Sequence, residues 1–195
     1  MFIQEVQEFC YLGDMLDTDA GAERAVKTRV ACAWSKWREL ASILTNKSIP
    51  LKSRARVYEM CVRSVLIYGS EAWPLTQSLT ELLRTTDRRM MRYMANIRLK
   101  DKIPNKEVAR RCGLPDLESR LRQRRLRWFG HVKRAEADII GEVSTLPVAG
   151  RRPPGRPQKT WHDCIKEDLR ALHIKEDAAY DRKRWKMVIS TSNPR

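Results

Sequence analysis

The chain has 195 residues, and its 42% hydrophobic content is sufficient for one sizeable domain or two small ones, so we expect most of it to fold. The net charge of +15 points to a polyanionic partner, with nucleic acid first and an anionic membrane surface second. No apolar run approaches the roughly 18 residues of a membrane span. The start MFIQEVQEFCYLG carries acidic residues where a signal peptide needs a basic and then an apolar segment. We therefore expect an intracellular protein, nuclear or cytoplasmic, that is not secreted.

The first predicted elements are a short strand and three amphipathic helices. Residues 1–16 have the pattern of a strand or hairpin closed by a turn at Gly13-Asp14. Apolar residues then recur at helical spacing in three segments, namely Val26, Val30, Ala33, Trp37, Leu40 and Leu44, then Val57, Cys61, Val65 and Tyr68, and then Leu79, Leu83, Thr86, Met90, Tyr93 and Ile97. Pro50 suits the first turn of the second helix, and Thr76 or Ser78 can cap the third. Residues 17–98 are therefore predicted to form a three-helix bundle, which makes the fold class mainly α.

The second half of the chain is predicted to be helical and basic, with one interruption. Asn105 can cap a short helix that runs to Cys112, Gly113 ends it, and Asp116 can cap a longer helix within a basic region at residues 99–146. Residues 147–157, with the sequence PVAGRRPPGRP, are too rich in proline and glycine to pack and form a Pro/Arg connector. Residues 158–195 are predicted to be a C-terminal helical segment followed by a tail.

Basic residues are concentrated in one part of the chain. Residues 84–134 hold 17 basic and 5 acidic side chains, whereas residues 1–47 hold six and seven. Arg120, Arg124 and Arg127 share one helical face, where they repel each other unless anions lie among them, and only Asp116 and Glu118 are near in sequence. The alternative interpretation is a solvated face that acids elsewhere partly neutralise. The candidate nucleic-acid-binding residues are Arg120, Arg122, Arg124, Arg125, Arg127, Trp128, Lys133, Arg151, Arg152 and Arg156.

Two motifs offer more specific modes of DNA binding. Residues 105–130 have the helix, glycine turn and basic helix of a helix-turn-helix, although helix pairs around a glycine are common in helical proteins. Gly155-Arg156-Pro157 in the connector is similar to the AT-hook, whose arginine enters the minor groove of A·T-rich DNA. A plain basic linker that follows phosphates is the alternative for this connector.

Residues for catalysis are sparse. Five scattered cysteines without a C-x-x-C pair indicate neither a disulfide framework nor a zinc knuckle, and His162-Asp163-Cys164 lacks the further ligands of a zinc site. The aspartates show no pairing of the kind that holds two magnesium ions, and the chain has no glycine-rich phosphate loop. We therefore expect no enzymatic activity, no metal site and no cofactor in this chain.

Four segments follow each other along the chain, namely FCYLG at residues 9–13, LIYGSEAW at 66–73, RLRWFGHV at 125–132, and GRRPPGRP at 150–157 followed by Trp161 and Asp168-Leu169. In this order they resemble the C-terminal part of the reverse transcriptase of non-LTR (LINE-type) retrotransposons. The resemblance implies a palm-end remnant, a thumb-like bundle and the region after the thumb. The family's Y-x-D-D aspartates have no counterpart in this chain, so magnesium is expected only for the complete parent enzyme.

The resemblance implies a non-catalytic fragment that grips RNA or an RNA–DNA duplex through its backbone. A first alternative is a protein-interaction or self-associating remnant, in which a lone palm remnant exposes Phe2, Phe9, Tyr11 and Leu12. A second alternative is a helix-turn-helix-like DNA binder through residues 105–130. We expect no membrane partner.

Overall fold

A computed structural model describes residues 8–11, 14–17, 22–135 and 158–191. The fold is mainly helical, which confirms the predicted class. The N-terminal element is an antiparallel hairpin of β1 (Glu8–Tyr11) and β2 (Asp14–Asp17), in which Glu8 pairs with Asp17 and Tyr11 with Asp14. The side chains of Phe2, Phe9, Tyr11 and Leu12, on which the self-association alternative depends, lie outside the described part. The connector at 147–157 lies outside it as well.

The chain divides into two compact units. Among the described residues, the first unit comprises 8–11, 14–17, 22–69 and 76–118, and the second comprises 70–75, 119–135 and 158–191. The first unit extends past the predicted division at residue 98 as far as residue 118, and the predicted division at residue 146 lies outside the described residues. The short helix at Asn105–Cys112 packs on the bundle helices, and the segment 70–75 leaves the bundle to join the second unit. Sequence pattern marks where helices end, whereas long-range packing decides to which unit each element belongs.

The helices of the first unit begin and end near their predicted signals. They are α1 (Glu23–Glu39), α2 (Ala41–Leu44), α3 (Leu51–Val57) with a π-helical turn (Tyr58–Arg63) leading into α4 (Ser64–Leu66), α5 (Gln77–Ala95), a 3₁₀ turn (Leu99–Asp101) and α6 (Asn105–Cys112). The Thr76 hydroxyl accepts from the Leu79 backbone N–H at 3.3 Å, which confirms the predicted cap of α5. Gly113 ends α6 with a φ of 68°, a left-handed conformation that glycine adopts without strain.

The core of the first unit contains an ion pair that the apolar pattern does not indicate. Arg63 lies in the π-helical turn and Asp87 in α5; Arg63 donates from Nε to Asp87 Oδ1 at 3.0 Å and from Nη2 to Oδ2 at 2.9 Å. The Tyr58 hydroxyl donates to the same Oδ1 at 2.7 Å, and burial raises the pKa of Tyr58 well above its ordinary value, with the nearby charge of Asp87 as the next cause. All three residues are buried.

Two of the predicted inner faces are therefore wrong in part. The second helix was predicted to bury Val57, Cys61, Val65 and Tyr68, whereas it buries Tyr58, Val62, Arg63 and Leu66 and leaves Tyr68 46% exposed. The reason is the pairing of Arg63 with Asp87, because an arginine is placed inside only when buried polar groups, here a carboxylate, accept its hydrogen bonds. On α5, Leu83, Thr86 and Met90 are buried as predicted, but Tyr93 is 52% exposed. For the first predicted helix, burial is confirmed at Val26, Ala33, Trp37 and Leu44.

The second unit is built on the basic helix. Helix α7 (Leu117–Arg134) continues into this unit from Ser119, and α8 (Trp161–Ala171), a 3₁₀ turn (Glu176–Ala179) and α9 (Arg182–Thr191) follow. Its core consists of Leu126, Phe129, Ile165, Leu169, Ala179, Trp185 and Ile189. The helical spacing of Leu117, Leu121, Trp128 and Val132 predicts that these residues form the buried face of α7. This prediction is wrong at Trp128, which is 37% exposed. Leu126 and Phe129 take the buried side of α7, because the core aromatics Trp161 and Trp185 lie beside Phe129.

Candidate nucleic-acid interface

The arginines in the middle of α7 are held by carboxylates. Arg125 is buried and donates from Nε and Nη2 to the two oxygens of Asp168 at 2.8 and 3.1 Å, and Arg122 donates to Asp168 Oδ1 at 3.2 Å. Asp168 is thus an acid from elsewhere in the chain that partly neutralises this helix, as the alternative interpretation expects, because α8 brings it to α7 over a long sequence separation. This geometry gives Arg125 a structural role in the core of the second unit.

A short segment from the first half of the chain holds a further arginine. Arg124 Nε donates to Glu71 Oε2 at 3.2 Å, with the two side chains about one-third exposed. The Trp161 indole donates to the Glu71 carbonyl oxygen at 2.7 Å, and the Cys164 thiol donates to the Leu75 carbonyl at 3.5 Å. The segment 70–75 thus lies against α8 and supplies a carboxylate to α7. The sequence SEAWPL has no helical or strand period that indicates this contact.

A basic pocket lies between the C-terminal half of α7 and α9. Its volume is about 540 Å³, and it is lined by Arg127, His131, Arg134, Arg182, Trp185, Lys186, Ile189 and Ser190, which we call the basic pocket. Arg127, His131, Arg182 and Lys186 are exposed. Arg134 is half-buried and its Nη1 donates to the Ala179 carbonyl at 2.5 Å, which fixes the guanidinium at the pocket wall. The pocket therefore combines several cationic groups with an apolar floor of Trp185 and Ile189.

The floor of the basic pocket depends on a glycine. A Cβ on Gly130 would lie 2.3 Å from Trp185 Nε1 and 2.6 Å from its Cδ1, so only glycine leaves room for the indole at this place. The same Nε1 donates to the Leu126 carbonyl at 2.9 Å, and the Trp185 side chain is buried. This contact draws α9 against α7 and places Arg182 and Lys186 opposite Arg127.

The other predicted site residues differ in their contacts and in whether the structure describes them. Arg120 Nη1 donates to Gln123 Oε1 at 3.4 Å, and Lys133 Nζ lies 5.9 Å from the centre of the Phe129 ring. The exposed Trp128 ring stacks at a tilt on His131, with 5.2 Å between the ring centres. Arg151, Arg152 and Arg156 lie outside the described residues. A nucleic-acid role for the predicted set stays a prediction, and of its members the basic pocket contains Arg127.

Sequence reasoning missed four residues of the basic pocket, namely His131, Arg134, Arg182 and Lys186. The spacing of these residues along the sequence indicates which of them share a helical face. Arg127, His131 and Arg134 follow each other by four and three positions on α7, and Arg182 and Lys186 are four positions apart on α9, so each set shares one helical face. That the two faces meet could not be predicted, because the contact runs through Gly130 and Trp185.

Other classes of site receive little support from the described residues. Within the described ranges, no three histidine, cysteine or carboxylate side chains are grouped closely enough to hold a metal ion. Likewise, none of the helices in those ranges has both the length and the apolar character for crossing a membrane.

Fold and pocket together define a mainly helical protein with a basic pocket between two helices. The chain is similar to an uncharacterized transposon-derived protein of Caenorhabditis elegans, with 25% identity over 206 residues that cover 96% of this chain and 71% of that protein. No protein-family model matches the chain, and no solved structure matches it.

Proposed function

We propose that this chain is a non-catalytic nucleic-acid-binding protein of transposon origin, which holds RNA or an RNA–DNA duplex by its sugar–phosphate backbone. The transposon origin is supported by the similarity to the transposon-derived protein of Caenorhabditis elegans, which extends over 96% of the chain. The derivation from a non-LTR reverse transcriptase is supported by four ordered sequence segments, and the absence of a Y-x-D-D sequence supports binding without polymerisation.

The observation that carries the binding proposal is the convergence of cationic side chains in the basic pocket. Arg127 and Arg134 on α7 and Arg182 and Lys186 on α9 line one volume of about 540 Å³. Like charges on neighbouring helical turns repel each other, and a bound anion removes that repulsion. The attraction between a phosphate and these cations is strengthened further, because the buried Trp185 and Ile189 exclude water from one side and lower the local dielectric constant.

The chemistry of the lining favours the backbone over the bases. Arginine guanidinium groups match the oxygens of a phosphate in a bidentate geometry, and lysine adds a point charge. Among the described residues that line the basic pocket there is neither asparagine nor glutamine, the usual partners of adenine. The contacts therefore position a nucleic acid without reading its sequence, and the affinity falls with salt as condensed counterions are released.

The test is fluorescence anisotropy of a labelled RNA hairpin and of an RNA–DNA hybrid, titrated with the full chain across a salt series. The double variant Arg182→Gln with Lys186→Gln removes two pocket charges, and we expect weaker binding and a log–log salt slope that is smaller by about 1–2. The matched control is Lys183→Gln with Arg184→Gln, which removes two exposed charges on the same helix but outside the lining.

The control variant is expected to keep most of the wild-type slope. Equal salt slopes for the two double variants contradict binding at the basic pocket, because they mean that net charge alone determines the affinity. Affinity that does not change with salt contradicts backbone binding altogether. A selected sequence that resists competition by random-sequence nucleic acid contradicts the sequence-independent mode.

A further inference from the structure

A second basic groove lies in the first unit, at the C-terminal end of α5. Its volume is about 630 Å³, and it is lined by Thr85, Arg88, Arg89, Arg92, Tyr93, Asn96, Ile97, Arg98, Leu99 and Asn105, which we call the helix-end groove. The lining residues of α5 recur at steps of three and four positions and therefore share one face of the helix. Asn96 then ends the helix with a φ of 54°, which turns the chain back so that Arg98 and Leu99 form the opposite wall.

The wall opposite α5 is fixed by an arginine. Arg92 donates from Nη2 to the Arg98 carbonyl at 2.7 Å and from Nη1 to the Ile103 carbonyl at 2.9 Å and to Asn105 Oδ1 at 3.3 Å. The Arg98 backbone N–H in turn donates to Asp101 Oδ2 at 2.7 Å. Because these bonds tie the loop to the helix, the groove exists before a ligand enters. Arg92 is consequently part of the wall.

An aromatic ring is exposed between the cations of the helix-end groove. Tyr93 is 52% exposed and Leu99 is 84% exposed, while Trp34 meets the Tyr93 ring edge-on with 6.2 Å between the ring centres. Arg88 pairs with Glu81 at 3.2 Å. Arg89 and Arg98 also line the groove, and the side chains of both are exposed.

We infer that the helix-end groove binds one nucleotide of a single strand, with its base against Tyr93 and its phosphates at Arg89 and Arg98. An exposed aromatic ring beside arginines is the combination by which single strands are bound without sequence preference. The volume of about 630 Å³ falls within the range of small-ligand sites. An acidic amphipathic helix fits less well, because it needs apolar anchors along several turns. This site shares no residue with the basic pocket and does not rest on the duplex proposal.

The experiment measures fluorescence anisotropy of a labelled short oligothymidylate with the full chain. Tyr93→Ala is expected to weaken binding about tenfold, the usual loss for one base stacked on an aromatic ring, whereas Tyr93→Phe keeps the ring and the affinity. Tyr180→Ala is the matched control, since Tyr180 has the same 52% exposure but lies in the second unit. Arg89→Gln combined with Arg98→Gln tests the phosphate contacts without touching the aromatic ring.

Each outcome either supports or overturns single-strand binding in the helix-end groove. Equal affinity for Tyr93→Ala and Tyr180→Ala overturns the inference, and so does displacement by polyglutamate of matched charge that is as effective as displacement by unlabelled oligothymidylate. A loss of single-strand affinity in Arg89→Gln with Arg98→Gln supports it, and wild-type affinity in that variant overturns it. Duplex binding is measured in parallel, because its loss in the Arg182→Gln with Lys186→Gln variant reports on the basic pocket alone.

Discussion

The two units of this chain each bury an arginine–aspartate pair, but the two pairs differ in their balance of charge. In the first unit, one carboxylate faces one guanidinium, Asp87 against Arg63, and each side chain is 2% exposed. In the second unit, Asp168 accepts from both Arg125 and Arg122, and Arg122 reaches solvent with 23% of its side chain exposed. The first pair sets one carboxylate against one guanidinium inside the core, whereas in the second group one carboxylate serves two guanidinium groups, one of which reaches solvent.

This difference shows that the number of arginines in a segment does not give the number that are exposed and not held by a buried carboxylate. The stretch RLRQRRLRWFGHVKR is dense in arginine, yet Arg122, Arg124 and Arg125 are paired with carboxylates. Arg182 and Lys186 come from a segment that is less dense and line the basic pocket. The arginines paired inside a unit determine its packing, and the exposed ones near an apolar floor determine its surface chemistry.

The largest expected effect comes from breaking the pair of Arg63 and Asp87. Asp87→Asn leaves the Arg63 guanidinium buried without a counter-charge, and we expect the free energy of unfolding to fall by about 3–5 kcal/mol. Urea unfolding of the full chain, followed by far-UV circular dichroism, measures this change. Replacing both partners in Arg63→Met with Asp87→Leu is expected to cost much less, because no charge remains inside. A loss below about 1 kcal/mol for Asp87→Asn would falsify the structural role of this pair.

The same change in the second unit is expected to cost less. Asp168→Asn removes the carboxylate from Arg122 and Arg125, and we expect a loss of about 2–3 kcal/mol, because Arg122 can turn toward water. Asp177→Asn, at an exposed position in the same unit, is the control for removing one negative charge. Duplex affinity is expected to change equally in the two variants. A larger gain in affinity for Asp168→Asn would mean that the released arginines bind phosphate.

The contact between α7 and α9 offers a third comparison, since it depends on shape and not on charge. Gly130→Ala is expected to destabilise the protein by about 1–2 kcal/mol, the cost of overpacking reduced by the better helix propensity of alanine. Trp185→Phe in the Gly130→Ala background removes the clashing Nε1 atom, and a double-mutant cycle is expected to show that the two losses are not additive. Strict additivity in thermal unfolding would contradict the contact.

The smallest effect is expected where one carboxylate serves two arginines on the surface. Hydrogen bonds from Arg110 and Arg111 lower the pKa of Glu107 from its ordinary 4.5 to about 2. A lowered pKa in the folded state means that the carboxylate stabilises the protein above pH 4.5 and that this stabilisation is lost as the pH falls toward 2. The difference in thermal midpoint between wild type and Glu107→Gln is therefore expected to be small and to shrink over that interval. A constant difference between pH 2 and pH 6 would argue against the pairing.

The candidate interface could be predicted only in part. Charge density directed attention to α7, and Arg127, which lines the basic pocket, belongs to the predicted set. Arg125 could not be recognised as a core residue, because its partner Asp168 lies 43 positions away and the sequence around either residue does not indicate the pairing. The spacing of Arg182 and Lys186 was visible, but its importance depends on Gly130 and Trp185, which bring the second helix to the first.

The sequence by itself determined the local features of this protein. The mainly helical class, the cap at Thr76, the helix at Asn105–Cys112 and the left-handed turn at Gly113 all follow from interactions between residues within a few positions of each other. Only the tertiary structure decided which arginines lie inside, which face of the second helix is buried, and that residues 70–75 join the second unit. The physical reason is that a charged side chain becomes a core residue only when other parts of the chain supply its polar partners, as Asp87 does for Arg63 and Asp168 for Arg125. Those partners are specified by packing and not by spacing.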